Sequence, residues 1–540
     1  MARRPGDIAL CVCSAASAFH RRVSHAFDPE QPGGTTLSAL ATVLGVPAPP
    51  VPGGAEVTVT GLAVATSDLR PGALFAAMAG RHGHGAAHAD QARAAGAAAV
   101  LTDPAGRERA AASGLPVLVV EEPRVVLGTV ARAVYGTDRI DVPLFGVTGT
   151  NGKTTTVYVL DAVMRRLGWT TALTSTAERR VADEHVPSRL TTPEVPELHA
   201  FLARAAERGV DGIAVETSAQ GLSRHRLDGV RFDVAGFTNL SHDHLDDYPD
   251  MDAYLRAKAE LFTPERSRRA VVSLDSPAGR RITYGAGVAV DTITSDPAVE
   301  ARWHVTVLDQ RTDGTAFRLD GPAGARIVTE VPLLGRHMAA DAGLALVMLA
   351  VSGVSVPDLA RAVGERLDVV VPGRMADASA ATGPRVWVDF AHTPDAFEKS
   401  LAAVRSVVDG RVAIVLGADG DRDPSKRFGM GVVASTGADV VVVADHHPRF
   451  EDPDPIRAAI LAGARSTGSA VVVEEADPAS AIRRALRAVG DDGAVYWAGP
   501  GLTDYRDVAG VHVPYSSFRD AQRALDEAGH PQREDCLSIR

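Results

Sequence analysis

The residues best suited to chemistry form one run, Gly146-Val147-Thr148-Gly149-Thr150-Asn151-Gly152-Lys153-Thr154-Thr155-Thr156. Glycines in such a run let backbone N–H groups close around phosphate oxygens, and a helix opening just after them adds a dipole that favours the anion. Lys153 would reach the terminal phosphates and the Thr154 hydroxyl would ligate Mg²⁺. The spacing departs from the commonest phosphate loop, which wants glycine at position 147, where valine stands. The run still follows an apolar strand candidate (Val142, Leu144, Phe145) and opens a helical segment (Val157 to Leu167). The expectation is a nucleoside triphosphate gripped by Gly149, Thr150, Asn151, Gly152, Lys153, Thr154 and Thr155.

Four further segments carry groups suited to catalysis. Glu216 ends the strand candidate Gly212 to Val215, the place where open α/β sheets present ligands to their crevice. His244 lies in the polar loop Thr238 to Asp246, directly after another strand candidate, and Lys258 sits on the helical stretch Tyr254 to Phe262. Asp389 and His392 mark a strand end late in the chain. Taken singly, a glutamate at a strand end or a lysine on a helix is usually only solvated. Two His-containing runs, His242-Asp243-His244 with Asp246 and Asp445-His446-His447, raise the alternative of a metal-dependent hydrolase. Adjacent residues on an extended chain point to opposite sides, so few of these could share one ion.

Positioning such groups takes a large scaffold. At 540 residues the chain exceeds a single core, and about three domains is the expectation. With 45% hydrophobic and 23% charged residues it has ample material to bury. A formal charge of −11, with Lys and Arg interspersed among acids, argues against a nucleic-acid partner. Cys11, Cys13 and Cys536 cannot make a disulfide framework, and the one-residue gap between the first two suits neither a zinc knuckle nor a redox pair. No apolar run reaches the roughly 18 residues of a membrane span, so no membrane insertion is expected. Ile8 to Phe19 has the length of a signal-peptide core, but Asp7 interrupts the pattern and a phosphate loop needs cytosolic ATP. A cytoplasmic protein is expected, with residues 1–35 an extension lacking structure.

The chain then divides at its Pro/Gly clusters into 36–140, 141–372 and 373–540. In the first block Val57 to Ala65 and Ala97 to Leu101 read as strands around a helix at Ala86 to Gly96. The second alternates strand candidates (Gly212 to Val215, Val234 to Phe237, Ala270 to Leu274) with helices, the pattern of a mainly parallel sheet. The third has four strong strands, Arg385 to Phe390, Val412 to Leu416, Val440 to Ala444 and Ala494 to Trp497, and reads as a second, doubly wound sheet. The final twenty residues are polar and expected to fray.

In this order the segments resemble the Mur ligase superfamily, ATP-dependent enzymes that add amino acids to the peptidoglycan precursor, and most nearly its tripeptide-synthetase (MurE-type) branch. The resemblance is strong over 141–280 and 371–505, weaker in the N-terminal domain and absent from the first 35 residues. It implies an α/β protein of three domains: an acceptor-binding N-terminal domain, a central P-loop ATPase domain, and a C-terminal doubly wound, Rossmann-like domain that brings the amino acid. Thr191 and Thr192 in Thr191-Thr192-Pro193-Glu194, with Ser218 and Arg226, match residues that touch the acceptor. Arg374 and Asp389 match residues that hold the nucleotide from the C-terminal domain, and Arg422 and Arg449 match arginines that receive the amino acid's carboxylate. The resemblance also implies catalysis by Lys153, Glu216, His244 and Lys258 with ATP and two Mg²⁺ ions: Thr154 and Glu216 on the first ion, His244 on the second, and Lys258 carbamylated into a metal ligand.

The departures bear on substrate. Diaminopimelate-adding relatives carry Asp-Asn-Pro-Arg where this chain has His446-His447-Pro448-Arg449, and Gly-Lys-Gly-His-Glu where it has Gly499-Pro500-Gly501-Leu502-Thr503. Thr503 thus replaces the acid that would pair the far ammonium, a loss of about 3–5 kcal/mol if that ammonium were buried. At the uridine end Ala65-Thr66-Ser67 stands for Asp-Ser-Arg, and Met338 and Asp341 stand where the family has Asn. The expectation is an ADP-forming acid–amino-acid ligase working through an acyl phosphate. It joins a small carboxylate acceptor to a non-diaminopimelate amino acid in specialised metabolism, in a pocket of Arg422, His446, His447, Arg449, Gly499 and Thr503. The alternatives are a housekeeping ligase adding the third amino acid to UDP-MurNAc-dipeptide, and a nucleotide-binding protein without catalysis.

Overall fold

The computed structural model describes residues 25–80 and 83–532. The three cysteines and the segment Ile8 to Phe19 lie outside the described residues. The chain forms two compact units, one of residues 1–146, 168–233 and 265–268, the other of 147–167, 234–264 and 269–540.

In the first unit, strands Gly61–Ala63, Ala73–Ala77, Ala99–Thr102 and Val117–Val119 make a four-stranded parallel sheet in that order. Alternate side chains on a strand face opposite sides. Leu74 and Ala76 therefore join a core with Leu40, Leu127 and Val130 from helices Leu37–Leu44 and Pro123–Tyr135. Phe75 and Ala77 join another with Ala92 and Ala110 from helices Ala89–Ala94 and Arg107–Ala112. The single strand expected over Val57 to Ala65 is two short ones, Thr58–Val59 and Gly61–Ala63, because Thr60 N turns away to Gly72 O. The same unit holds strand Gly212–Glu216, parallel to Thr171–Thr174, which continues into the antiparallel strands Glu178–Val181 and Glu184–Pro187. The extension expected to lack structure is packed from residue 25 onward. Phe27 is buried edge-on to Phe201 on helix Val195–Glu207, and the Glu207 carboxylate accepts Glu30 N and Gln31 N.

In the second unit the phosphate-loop helix Lys153–Arg166 packs on helix Arg336–Ser352, whose residues are buried almost all round. A parallel register links Arg269–Ser273, Ala289–Thr294 and Trp303 in turn, but the mainly parallel sheet expected here gives way to an antiparallel meander of Trp303–Arg311, Gly314–Asp320 and Arg326–Val331. Burial alternates along Gly314–Asp320, the mark of a sheet with one wet face.

The C-terminal sheet is the doubly wound one expected. Its order is Ala376–Asp377, Arg385–Asp389, Ala494–Ala498, Val412–Leu416, Val440–Val443, Val471–Glu474, parallel apart from the first strand. Val388, Val415, Val442 and Val495 bury one face against Ile482 and Val489 of helix Pro478–Val489 and Leu525 of helix Ser517–Glu527. The frayed end expected over the last twenty residues is thus helical and packed to Glu527. Strands buried on both faces leave function to the loops at their carboxyl ends, which here are Asp389–Thr393, Gly417–Ser425, Ala444–Asp452 and Gly499–Asp504.

Candidate active site

The phosphate loop follows strand Leu144–Thr148 and closes at Gly152, the N-cap of the helix. Gly149 (φ 151°) and Gly152 (φ 87°) take up backbone conformations that suit glycine. A Cβ at Gly149 would lie 1.8 Å from Thr238 Oγ1, and one at Gly152 would lie 2.3 Å from Asp341 Oδ1. The loop is braced by residues whose role was not legible beforehand. Asn239 accepts Thr150 N (2.9 Å) on its carbonyl and Asn151 N (3.1 Å) on Oδ1, while Thr238 Oγ1 donates to Asn151 O (2.6 Å). Lys153 Nζ folds over the loop, donating to Gly149 O (3.1 Å) and Thr150 O (2.8 Å). Thr155 Oγ1 meets Met338 Sδ at 3.8 Å.

Lys258 comes to the same loop from helix Met251–Ala259. Its Nζ donates to Gly149 O at 2.7 Å and lies 4.1 Å from the Tyr254 ring centroid, fully buried. Burial, with the Lys153 cation beside it, drives its pKa well below the ordinary lysine value, which favours the neutral amine. His244, at φ 59°, is likewise pushed down to about 4, by burial first and then by Lys153 and Lys258, against the pull of Asp243. A neutral imidazole is the form that binds a metal. Asp243 is buried, which opposes ionisation, yet His392, Lys426 and His244 hold its pKa well below the carboxylate norm.

The C-terminal sheet delivers Arg374 to this loop: Nη2 donates to Thr154 Oγ1 at 2.9 Å and the guanidinium stacks on Phe390 at 4.8 Å. Asp389 accepts Phe390 N (2.8 Å) and Met375 N (3.3 Å) on Oδ1 and Tyr496 OH (2.9 Å) on Oδ2, which fixes the turn bearing Arg374. Asn151 Nδ2 donates to Asp395 Oδ2 at 3.0 Å.

Further along the same sheet edge, Asp419 accepts His446 Nδ1 (2.7 Å) and Arg449 Nη2 (3.1 Å). Its pKa is held far below the usual value by these neighbours in spite of burial. A carboxylate there obliges His446 Nδ1 to donate. His447 Nδ1 accepts from Asp507 N at 2.9 Å, so its proton sits on Nε2, and burial lowers its pKa to about 4. Asp419, His446 and His447 lie close enough to suggest a metal cluster. The hydrogen bonds leave no ready-made ligand set there, because one imidazole has its lone pair engaged and its other nitrogen protonated. His242, from the other run, is drawn to Ser425 Oγ (2.9 Å) rather than to His244. Gly499 (φ 116°) borders His446, and Arg422 is exposed on the neighbouring loop.

In the first unit Glu216 gathers a network of its own. Its carboxylate accepts Thr176 N (2.8 Å) and Thr176 Oγ1 (3.1 Å), and Thr176 Oγ1 meets Thr191 Oγ1 at 3.0 Å. Thr192 Oγ1 lies 2.9 Å from Glu216 O and 3.1 Å from Ser218 Oγ. Arg226 pairs with Glu194 Oε1 at 2.9 Å and donates to Thr192 O at 3.3 Å. Near these groups a cavity of about 540 Å³ is lined by Ala65, Ser67, Arg70, Tyr135, Arg189 and Glu194 among others. Among the described residues no helix is long and apolar enough to cross a membrane.

Residues 58–135 match the Mur ligase family catalytic domain, 147–349 the Mur ligase middle domain, and 373–501 the Mur ligase glutamate ligase domain. A UDP-N-acetylmuramyl-tripeptide synthetase of Leifsonia xyli subsp. xyli is 50% identical over 508 residues, spanning 93% of this chain and 98% of that one. The chain belongs to the Mur ligase family. A UDP-N-acetylmuramoyl-L-alanyl-D-glutamate–2,6-diaminopimelate ligase of Streptomyces avermitilis is 40% identical to this Mur ligase over 504 residues, with 92% and 98% covered. The solved structure of another ligase of that name superposes with TM-score 0.61 at 26% identity over 88% and 96% of the two chains. Thermotoga maritima MurF in complex with ADP superposes with TM-score 0.61 at 17% identity over 87% and 98% of the chains, which speaks for the fold alone.

The Mur ligase is thus an ADP-forming carbon–nitrogen ligase, which sets aside the reading without catalysis. Its second unit brings Lys153, Lys258, His244, Thr154 and Arg374 to one loop, and groups His446, Arg449 and Gly499 at a sheet edge. Its first unit brings Glu216, Thr191, Thr192, Ser218 and Arg226 together. Thr503 is half-buried on the loop after Gly499, with its N–H on Pro500 O at 3.2 Å. Thr176, Asp419 and Lys426 were not anticipated. Each acts through a partner distant in sequence, a relation that spacing does not encode.

Proposed function

We propose that this Mur ligase activates the carboxylate of a UDP-MurNAc-dipeptide with ATP and joins it to the amine of an amino acid other than diaminopimelate, in the cytoplasm. The observation that carries the reading is the convergence of Lys153 and Lys258 on Gly149 O beside a neutral His244, in a chain half identical to a tripeptide synthetase along nearly its whole length. That identity favours the precursor ligase over the specialised-metabolism reading. The carboxylate oxygen attacks the γ-phosphorus and ADP departs. The amine then adds to the acyl phosphate, and the tetrahedral intermediate expels phosphate and loses a proton to leave the amide. Lys153 would swing from the loop carbonyls to the transferring phosphoryl group, where a fixed cation stabilises charge that develops in the transition state. Two bound Mg²⁺ ions would supply further charge neutralisation, with Thr154, His244 and Lys258 assigned as ligands in the second unit and a ligand role assigned separately to Glu216. The free amine is the form nucleophilic toward CO₂, and burial with the Lys153 cation beside it shifts Lys258 toward that form, so Lys258 suits conversion to a carbamate with release of a proton.

Acceptor binding is assigned to Thr191, Thr192, Ser218 and Arg226, with the neighbouring cavity for its distant end. For the amino acid, Arg449 and Arg422 would take the carboxylate. Two acids beside His446 are already committed: Asp419 to His446 and Arg449, Asp445 to Arg457 and Arg506. With Thr503 where the family's acid stands, and Asp419 and Asp445 so engaged, a neutral or acidic side chain fits best. Phosphate release should be measured with UDP-MurNAc-dipeptide over a panel of amino acids. Turnover confined to neutral or acidic amino acids is expected, and strong turnover with diaminopimelate would overturn the specificity. No turnover with this acceptor would overturn the acceptor assignment.

A further inference from the structure

The loop that carries His244 and the loop that carries Arg422 are bonded to each other at several points. Lys426 Nζ donates to Asp243 Oδ1 at 2.8 Å, with the two side chains 9% and 5% exposed. Ser425 Oγ lies 2.9 Å from His242 Nε2, and Leu245 N donates to Asp423 Oδ2 at 3.3 Å. Residues 242, 243 and 245 are therefore all held from the start of helix Lys426–Gly437, and His244 stands between them. His244 has φ 59°, a left-handed conformation that a non-glycine residue keeps only where its surroundings impose it. Asp243 Oδ2 also faces His244 Nε2 at 3.5 Å and His392 Nε2 at 3.6 Å, so the carboxylate that Lys426 grips sits against the imidazole itself.

We propose that Lys426 is a positioning residue. Acting through Asp243, it holds His244 in register with the phosphate loop and ties that register to the Arg422 loop that would receive the amino acid. The inference rests on the ligase reading for the roles of His244 and Arg422. Groups that orient a metal ligand without touching the metal commonly change metal affinity by about 10–100-fold. A lysine that merely neutralised a buried carboxylate would change stability and leave that affinity alone.

The test is calorimetric titration of the full chain with β,γ-methylene-ATP at a series of Mg²⁺ concentrations, and once in EDTA. Lys426→Met should raise the Mg²⁺ needed for half-maximal tightening by about tenfold or more and leave the affinity in EDTA unchanged. Lys426→Arg should recover part of it. Ser425→Ala removes the hydroxyl's contacts with His242 and Asp423 and leaves the Lys426–Asp243 pair in place, so it serves if the first variant fails to fold; a rise of about two- to fivefold is expected, below the range for a direct ligand partner. Mg²⁺ curves that superpose on the parent's, or affinity that falls equally with and without metal, would overturn the proposal. If the unmodified protein shows no Mg²⁺-dependent nucleotide binding, the ligase reading falls and this inference with it.

Discussion

Asp341→Asn probes the electrostatics beneath the phosphate loop. Asp341 lies on helix Arg336–Ser352, is 8% exposed, and has Oδ1 so near Gly152 that a Cβ there would fall 2.3 Å away. Among the described residues its carboxyl receives no hydrogen bond. Burial raises its pKa from 3.8 to about 7, opposed by Lys399, Arg374 and Lys153 and reinforced by Asp275. The folded protein therefore binds this proton more tightly than the unfolded chain does. The stabilisation is intact below about pH 4, is lost as pH rises toward 7, and the penalty is constant above that. The shift corresponds to about 4 kcal/mol at most, and relaxation of the site should leave about 2. Asn has the same shape and no charge, so the variant should be the more stable protein at pH 8, by a margin that shrinks steadily toward pH 4. Urea or thermal unfolding of both proteins between pH 4 and 8.5 measures that margin. The same substitution should lower the KM for ATP at pH 8.5, where an ionised Asp341 would repel phosphate, and change it little at pH 6. A stability difference independent of pH would refute the reasoning.

Lys153→Ala should abolish ligation and leave the unfolding transition unchanged, because its charge does its work only with phosphates bound; survival of more than about a few per cent of activity would show another group in that role. Lys258→Ala should be nearly inactive and partly rescued by formate or acetate, small carboxylates able to occupy the space of a carbamate. A free ammonium at Lys258 in a nucleotide complex with two metals would remove the basis for that rescue. Arg449→Lys should raise the KM of the amino acid by about tenfold or more, as the loss of a charge-assisted, two-pronged contact implies, with the KM for ATP little altered; parallel changes in both constants would move the amino-acid pocket elsewhere.

What was legible in the chain follows from how each part is buried. Val412–Leu416 and Val440–Val443 are covered on both faces, so they read as unbroken apolar runs and the doubly wound sheet was visible at once. Ala73–Ala77 is equally buried but built largely of alanine, which has little strand character, and it passed unseen. The meander from Trp303 to Val331 alternates apolar with charged residues about Asp313-Gly314, a hairpin signal that passed unread in a block otherwise patterned as parallel. The phosphate loop was legible because Gly149 and Gly152 are needed on local grounds, by φ and by close approach.

The electrostatic partners are of another kind. Asp243 and Lys426 meet across 183 residues of chain, and His446 is committed to Asp419 from 27 residues away. Residue type announces that such groups can ionise, and only the fold decides what each must neutralise. The substitution at position 341 illustrates the division. That Asp stands where the family has Asn could be read from the chain, and an ionised carboxyl offers only acceptors. Burial changes that reading, because a carboxyl whose pKa is raised to about 7 keeps its proton far higher on the pH scale than an ordinary aspartate. It then offers a donor as an amide would. The departure from the family thus becomes a pH-dependent imitation of it, and the pH profile of Asp341→Asn is where that difference becomes measurable.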